Sequence, residues 1–378
     1  MSFRLVIITL AVLIALCLFL FILVVNLKLA QIRREKKKSQ DVKKIKPVLR
    51  ELASASTIDF FRNHELILSK LSDKIKDKIS RQTLEDMLLE IIEDGDGETK
   101  VRARAIAYHF GFPEACISMI RDPLTGNVSI GCRKAGLYQY EDAVPDLLKT
   151  LDIVSSDTQY QAMMALARIG DTGAMVKAFD KIHRLVLVNE RTISEILKIF
   201  SGDRQGLLKE MIHHQSDYLA RLSLKALDRD IALTLIADIM SIYQSGGKET
   251  RLACISAIGK SGTSGKLSML IEAMKDKEWE LRAMAAKTLG ILRGKCAVKP
   301  LAKAARDREW WVRQNAVTSI LAYPGAGGIL VSIAQTGDRY AYDSILYALD
   351  KANQTELLLR IKEIPLQQGS ASDKISAL

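Results

Sequence analysis

Two apolar patterns divide this chain. From Leu5 to Val25 every residue but Thr9 is apolar, enough for about 30 Å of helix at roughly 1.5 Å per residue, the thickness of a bilayer's hydrocarbon core. Beyond residue 50 apolar residues recur three and four apart, with small ones among them, as on one amphipathic helix face after another. No segment alternates as a half-buried strand does. The pattern predicts an all-α chain in which an N-terminal transmembrane helix precedes a series of helical hairpins.

The hairpins repeat. KDKEWELRAMAAKTLGIL, from Lys275, aligns with RDREWWVRQNAVTSILAY, from Arg306, pairing Asp276 with Asp307, Trp279 with Trp310 and Arg282 with Arg313 at a constant offset of 31. Arg251 stands one period earlier again, and Ile258-Gly259 takes the place of Leu289-Gly290. Weaker copies begin at Val101, Ile130, Gln161 and Tyr218, and a divergent one at Tyr340. Some eight or nine units of about 30 residues, each two helices, predict an α-solenoid in which every unit buries its apolar face against its neighbours.

The pattern D-x-x-W-x-[LV]-R-x-x-A, followed by Leu or Ile and then Gly, resembles HEAT repeats, in particular the short bacterial class related to the phycobilin-lyase HEAT-like repeats. The likeness is strong over 248–337, fair over 98–178 and poor over 179–247. It implies a joint between successive units: Asp276 and Asp307 at the turn between paired helices, and Arg251, Arg282 and Arg313 on the helix that follows, stacked as a ladder. Trp279 and Trp310 occupy equivalent positions and are expected to pack there. Trp311 aligns with Glu280, a polar site, and is the candidate for contact with a partner.

Charge is uneven. Of the net +11, residues 28–50 carry +8, with ten Lys or Arg against Glu35 and Asp41; setting aside Arg4 as well leaves +2 for residues 51–378. A nearly neutral solenoid is a poor electrostatic match for nucleic acid. The basic segment follows the apolar run, so the positive-inside rule places the N-terminus outside and the solenoid in the cytoplasm, with anionic lipid headgroups as a candidate contact of the segment. One stretch of the solenoid departs from neutrality. From Lys275 to Arg313 eleven basic residues face five acidic ones, and Lys299, Lys303 and Arg306 recur at helical spacing, a candidate surface for an acidic partner segment.

Motifs of chemistry are absent. Cys17, Cys116, Cys132, Cys254 and Cys296 form no CxxC pair. His213-His214 lacks the spacing of two ligands on one helix face. DGDGE at 94–98 has Thr99 and Ala105 where a calcium loop needs Gly and Glu, and GKSGTSGK at 259–266 lacks the phosphate-loop spacing. No catalytic residue, metal or cofactor is expected. The division is then an anchor at 1–27, a basic juxtamembrane segment at 28–50, a solenoid at 51–366 and a disordered tail at 367–378.

A single span, a basic stalk and a WWVR motif together resemble bacterial HEAT-repeat proteins that accompany membrane glycosyltransferases of envelope or extracellular polysaccharide synthesis. That likeness implies a membrane-tethered, non-enzymatic scaffold. The alternative within HEAT-like proteins is an enzyme, a DNA glycosylase or a chromophore lyase.

Overall fold

A computed structural model describes residues 2–54, 57–122, 125–152, 155–185 and 190–365, and every regular element in them is helical. The tail expected at 367–378 lies outside the described residues. The chain divides into two units, Met1–Ile169 and Gly170–Leu378.

The first unit opens with α1, Ser2–Ser54, one helix of about 80 Å at roughly 1.5 Å per residue. It runs without a break through residue 27 and holds Pro47 within it. Its described side chains from Leu13 to Ile32 are exposed, many of them large and apolar. By length and composition this is a helix able to cross a membrane, a test that a signal sequence also passes. Further on the same helix changes character. Asp41, Ile45, Val48 and Leu49 are buried, an i, i+4, i+7, i+8 stripe that packs on the unit's own helices.

Those helices are α2 (Thr57–Ser72), α3 (Lys78–Asp94) and α4 (Gly97–His109). Arg34 bonds Gln82 and Lys38 bonds Asp86, both 48 residues apart, so α1 and α3 lie side by side and run the same way. The C-terminal part of the basic segment is thus packed against folded structure. After α4 come α5 (Phe112–Ile120), α6 (Thr125–Tyr138), α7 (Val144–Thr150) and α8 (Ser156–Ile169). Asp96 of the DGDGE turn caps α4 by accepting the Thr99 amide at 2.8 Å. Where α6 meets α8, a Cβ on Gly136 would stand 2.5 Å from the Ala165 Cα, so only glycine allows that approach.

The second unit begins with α9 (Thr172–Leu185), α10 (Glu190–Ile199), α11 (Arg204–Ile212), α12 (Asp217–Ala226), α13 (Arg229–Thr234) and α14 (Ile236–Ser245). The described residues of 179–247, where the repeat motif fades, are therefore helical too, in short pieces. The regular hairpins follow: α15 (Lys248–Ser261) with α16 (Leu267–Ala273), α17 (Trp279–Leu292) with α18 (Val298–Ala304), α19 (Trp310–Ile320) with α20 (Ala326–Ala334), and α21 (Arg339–Lys351) with α22 (Thr355–Lys362). Of GKSGTSGK, residues 259–261 are the end of α15, and only 262–266 form the loop to α16, turned by Gly262 at φ 67°. The first helices of successive hairpins pack on one another, α15 on α17, α17 on α19, α19 on α21. At the tightest joint a Cβ on Gly290 would lie 2.5 Å from the Ser319 Cβ. The Ser319 hydroxyl donates to the Ala286 carbonyl (2.9 Å) and the Tyr323 hydroxyl to that of Leu289 (2.8 Å), cross-linking α17 and α19.

Candidate functional site

The ladder residues meet across the joints. Arg282, near the start of α17 and 7% exposed, grips Asp307 with two parallel bonds of 2.8 Å from Nε and Nη2. Its Nη1 donates to the carbonyls of Asp276 (2.9 Å) and Lys277 (3.1 Å). Arg251, one unit earlier, makes a single bond from Nη2 to Asp276, donates to the Tyr243 hydroxyl at 3.1 Å and lies over the Tyr243 ring at 4.9 Å. Each aspartate also accepts the amide two residues on, Glu278 for Asp276 (3.0 Å) and Glu309 for Asp307 (2.9 Å), which orders the turn into the next helix. Burial alone would push both carboxyls up; the amides and the facing guanidiniums outweigh it and hold both below the ordinary 3.8.

Arg313 departs from the series. Asp338 stands 25 residues on, as Asp307 does from Arg282, yet Asp338 takes Arg306 at 3.3 Å and caps α21 through the Ala341 amide at 3.0 Å. Arg313, 7% exposed, bonds the carbonyls of Asp307 (2.8 Å) and Arg308 (2.9 Å) and the Ser344 hydroxyl (3.3 Å), with the Tyr340 ring 5.3 Å away. No carboxylate pairs with it among the described residues.

Lys299, Lys303 and Arg306 line a cleft of about 910 Å³ formed by α16, α18, α20 and the turns beside them. Arg306 lies past the end of α18 rather than on its stripe, because the helix stops at Ala304. Its equivalent one period earlier, Lys275, joins the cleft, a residue that the 31-residue offset marks but that the helical-stripe reading passes over. Lys275 pairs with Glu272 and Arg306 with Asp338. Lys299 and Lys303 are exposed and have no ion pair among the described residues. The floor is apolar, with Ile271, Met274, Pro300 and Ile333. An apolar floor beneath unpaired ammonium groups suits an acidic, partly apolar peptide better than a small polar ligand.

Trp311 does not line this cleft. It is 56% exposed, and its ring meets Trp310 edge to face at 4.6 Å. Trp310 in turn meets Tyr347 of α21 at 5.8 Å and keeps 40% of its own surface in solvent, so it belongs to an exposed aromatic cluster as well as to the joint. Trp279 is half-exposed. The structure therefore separates the predicted contact residues into a basic cleft and an aromatic patch. Tyr347 lies 31 residues after Ala316, so sequence alignment within the repeat gives no aromatic signal there.

No group of three or more His, Cys, Asp and Glu side chains able to hold a metal occurs among the described residues. His213 bonds Asp238 through Nε2 at 2.7 Å, at the end of α11.

Residues 236–322 match a family model described as HEAT repeats. That segment holds the Arg251–Asp276 and Arg282–Asp307 pairs and part of the basic cleft. No curated protein matches the chain. Among solved structures, an engineered protein shares 14% identity over 78% of this chain and 92% of its own, with a TM-score of 0.33. Human deoxyhypusine hydroxylase, in complex with glycerol, shares 15% identity over 75% of this chain and 97% of its own, with a TM-score of 0.27. Neither carries weight at these scores.

Proposed function

We propose that this chain is a non-catalytic interaction scaffold, held to a membrane by α1, whose HEAT repeats receive an acidic segment of a partner protein in the cleft of Lys299, Lys303 and Arg306. The observation that carries the reading is that cleft: four basic side chains over an apolar floor, two of them without a carboxylate partner among the described residues. Exposed Trp311 is the second contact of the same proposal. Tethering raises the effective concentration of the repeats beside any membrane partner, so a modest interface suffices. The positive-inside rule puts the repeats in the cytoplasm, and the first partner class to test is a membrane glycosyltransferase.

The experiment is in-cell photocrosslinking of the full chain from position 332, which lines the same cleft and is exposed, and from position 311, with identification of the captured proteins. Capture of one membrane protein from either position, lost on Lys299→Glu/Lys303→Glu, supports the reading. Equal capture by the charge-reversed chain refutes the role of the cleft.

A further inference from the structure

The basic residues that follow the apolar run are not equivalent. Lys37 bonds Asp77, Lys38 bonds Asp86 and Arg34 bonds Gln82, which commits that stripe of α1 to α3. Lys28, Arg33 and Lys36 are exposed and lie off it. Height along the helix divides the rest. At roughly 1.5 Å per residue, Lys43 stands about 27 Å beyond Val25 and Lys46 farther still. The screening length at physiological salt is about 8 Å, so these lysines are out of reach of headgroup charge on an upright helix.

A second basic element is brought down to the level that the far lysines have left. The offset of 48 between α1 and α3 sets Lys78, first residue of α3, opposite position 30, about 7 Å past Val25 at the same rise. The turn from α2 into α3 reads Asp73-Lys74-Ile75-Lys76-Asp77-Lys78. Lys76 and Lys78 are exposed and Lys74 half-exposed. Of its two acids, Asp77 is occupied by Lys37 and by the Ile79 and Ser80 amides that it caps. The corner between α4 and α5 reaches the same end, because Arg81, at the start of α3, bonds the Phe110 carbonyl.

We infer that this end of the first unit is a bilayer-contact surface for anionic lipid headgroups, built from Lys74, Lys76 and Lys78 of the α2–α3 turn together with Lys28 and Arg33, the exposed basic residues of α1 nearest Val25. The lysines at 37, 38, 43, 44 and 46 take no part. Sequence distance hides the surface, since the two contributions are about 40 residues apart and only the parallel packing of α1 and α3 brings them level. The inference rests on α1 spanning the bilayer.

The test uses the full chain in nanodiscs of zwitterionic lipid, with and without anionic lipid, carrying a photo-crosslinking residue at 20, 44 or 76. Lipid adducts are expected from 20 in both discs, from 76 chiefly in anionic discs, and not from 44. Lys74→Glu/Lys78→Glu should lower the yield from 76 at least about fivefold with an unchanged melting curve. Adducts from 20 but none from 76, or equal yields from 76 in both discs, overturn the inference and leave the span intact. Adducts from 44 as strong as from 76 overturn the upright geometry. No adducts from 20 overturn the span, and the inference with it.

Discussion

Replacing Arg282 with alanine removes four hydrogen bonds from a residue that is 7% exposed: two to Asp307 and two to the carbonyls of Asp276 and Lys277. It leaves the Asp307 carboxylate with the Glu309 amide at 2.9 Å. Breaking a buried ion pair from one side costs about 3–5 kcal/mol. Asp307 lines the open cleft, so water re-enters beside it and the lower end applies, about 3 kcal/mol. For a unit of this size each kcal/mol shifts Tm by about 2–4 °C, which gives about 6–12 °C by circular dichroism. Asp307→Ala should cost less, and the double variant should fall short of the sum. The pH dependence has a definite sign. The Asp307 carboxyl titrates below its ordinary 3.8 in the folded chain, so its contribution is complete above about pH 4 and is lost as pH falls through the folded value. The gap between wild type and Arg282→Ala should therefore narrow in acid. A Tm shift under about 2 °C, or a gap that widens in acid, refutes the reasoning.

Gly290→Ala places a methyl group against the Ser319 side chain and should cost about 1–3 kcal/mol, with partial recovery when Ser319→Gly is added; an unchanged melt would show that the α17–α19 joint has slack. Burial pushes the thiols of Cys116, Cys132 and Cys254 up to about 12, so at neutral pH an alkylating reagent should label exposed Cys296 and reach those three only in denaturant. Trp311→Ala should change stability by less than about 0.5 kcal/mol while lowering crosslinking to the partner. A large loss of stability would make Trp311 part of the joint.

The repeats around Arg251, Arg282 and Trp310 are readable because identical joints reuse identical residues, and a 31-residue offset survives where individual helices are ambiguous. The same offset fails at Arg313. Asp338 keeps its place in the repeat, but Arg306 and the α21 cap claim its carboxylate, a competition among side chains that no alignment ranks. The clustering of Lys275 with Lys299 and Lys303 depends on how α16, α18 and α20 approach one another, and the meeting of Trp310 with Tyr347 on how α19 meets α21. The burial of Asp41, Ile45, Val48 and Leu49 is hidden for a different reason. Ten basic residues in 28–50 read as a solvated stalk, and a four-residue stripe among them is visible only once α3 is known to lie along it.

The spacing within the ladder also bears on how such a chain changes length. Each ionic rung joins an arginine to an aspartate 25 residues on, while the unit repeats every 31. Excising 276–306 would set Asp307 in the place of Asp276, opposite Arg251, and the rung would re-form from what remains. Duplicating the same block would add a rung rather than strand a charge. Loss or gain of part of a unit takes each aspartate out of step with its arginine, so only whole-unit changes keep the ionic rungs.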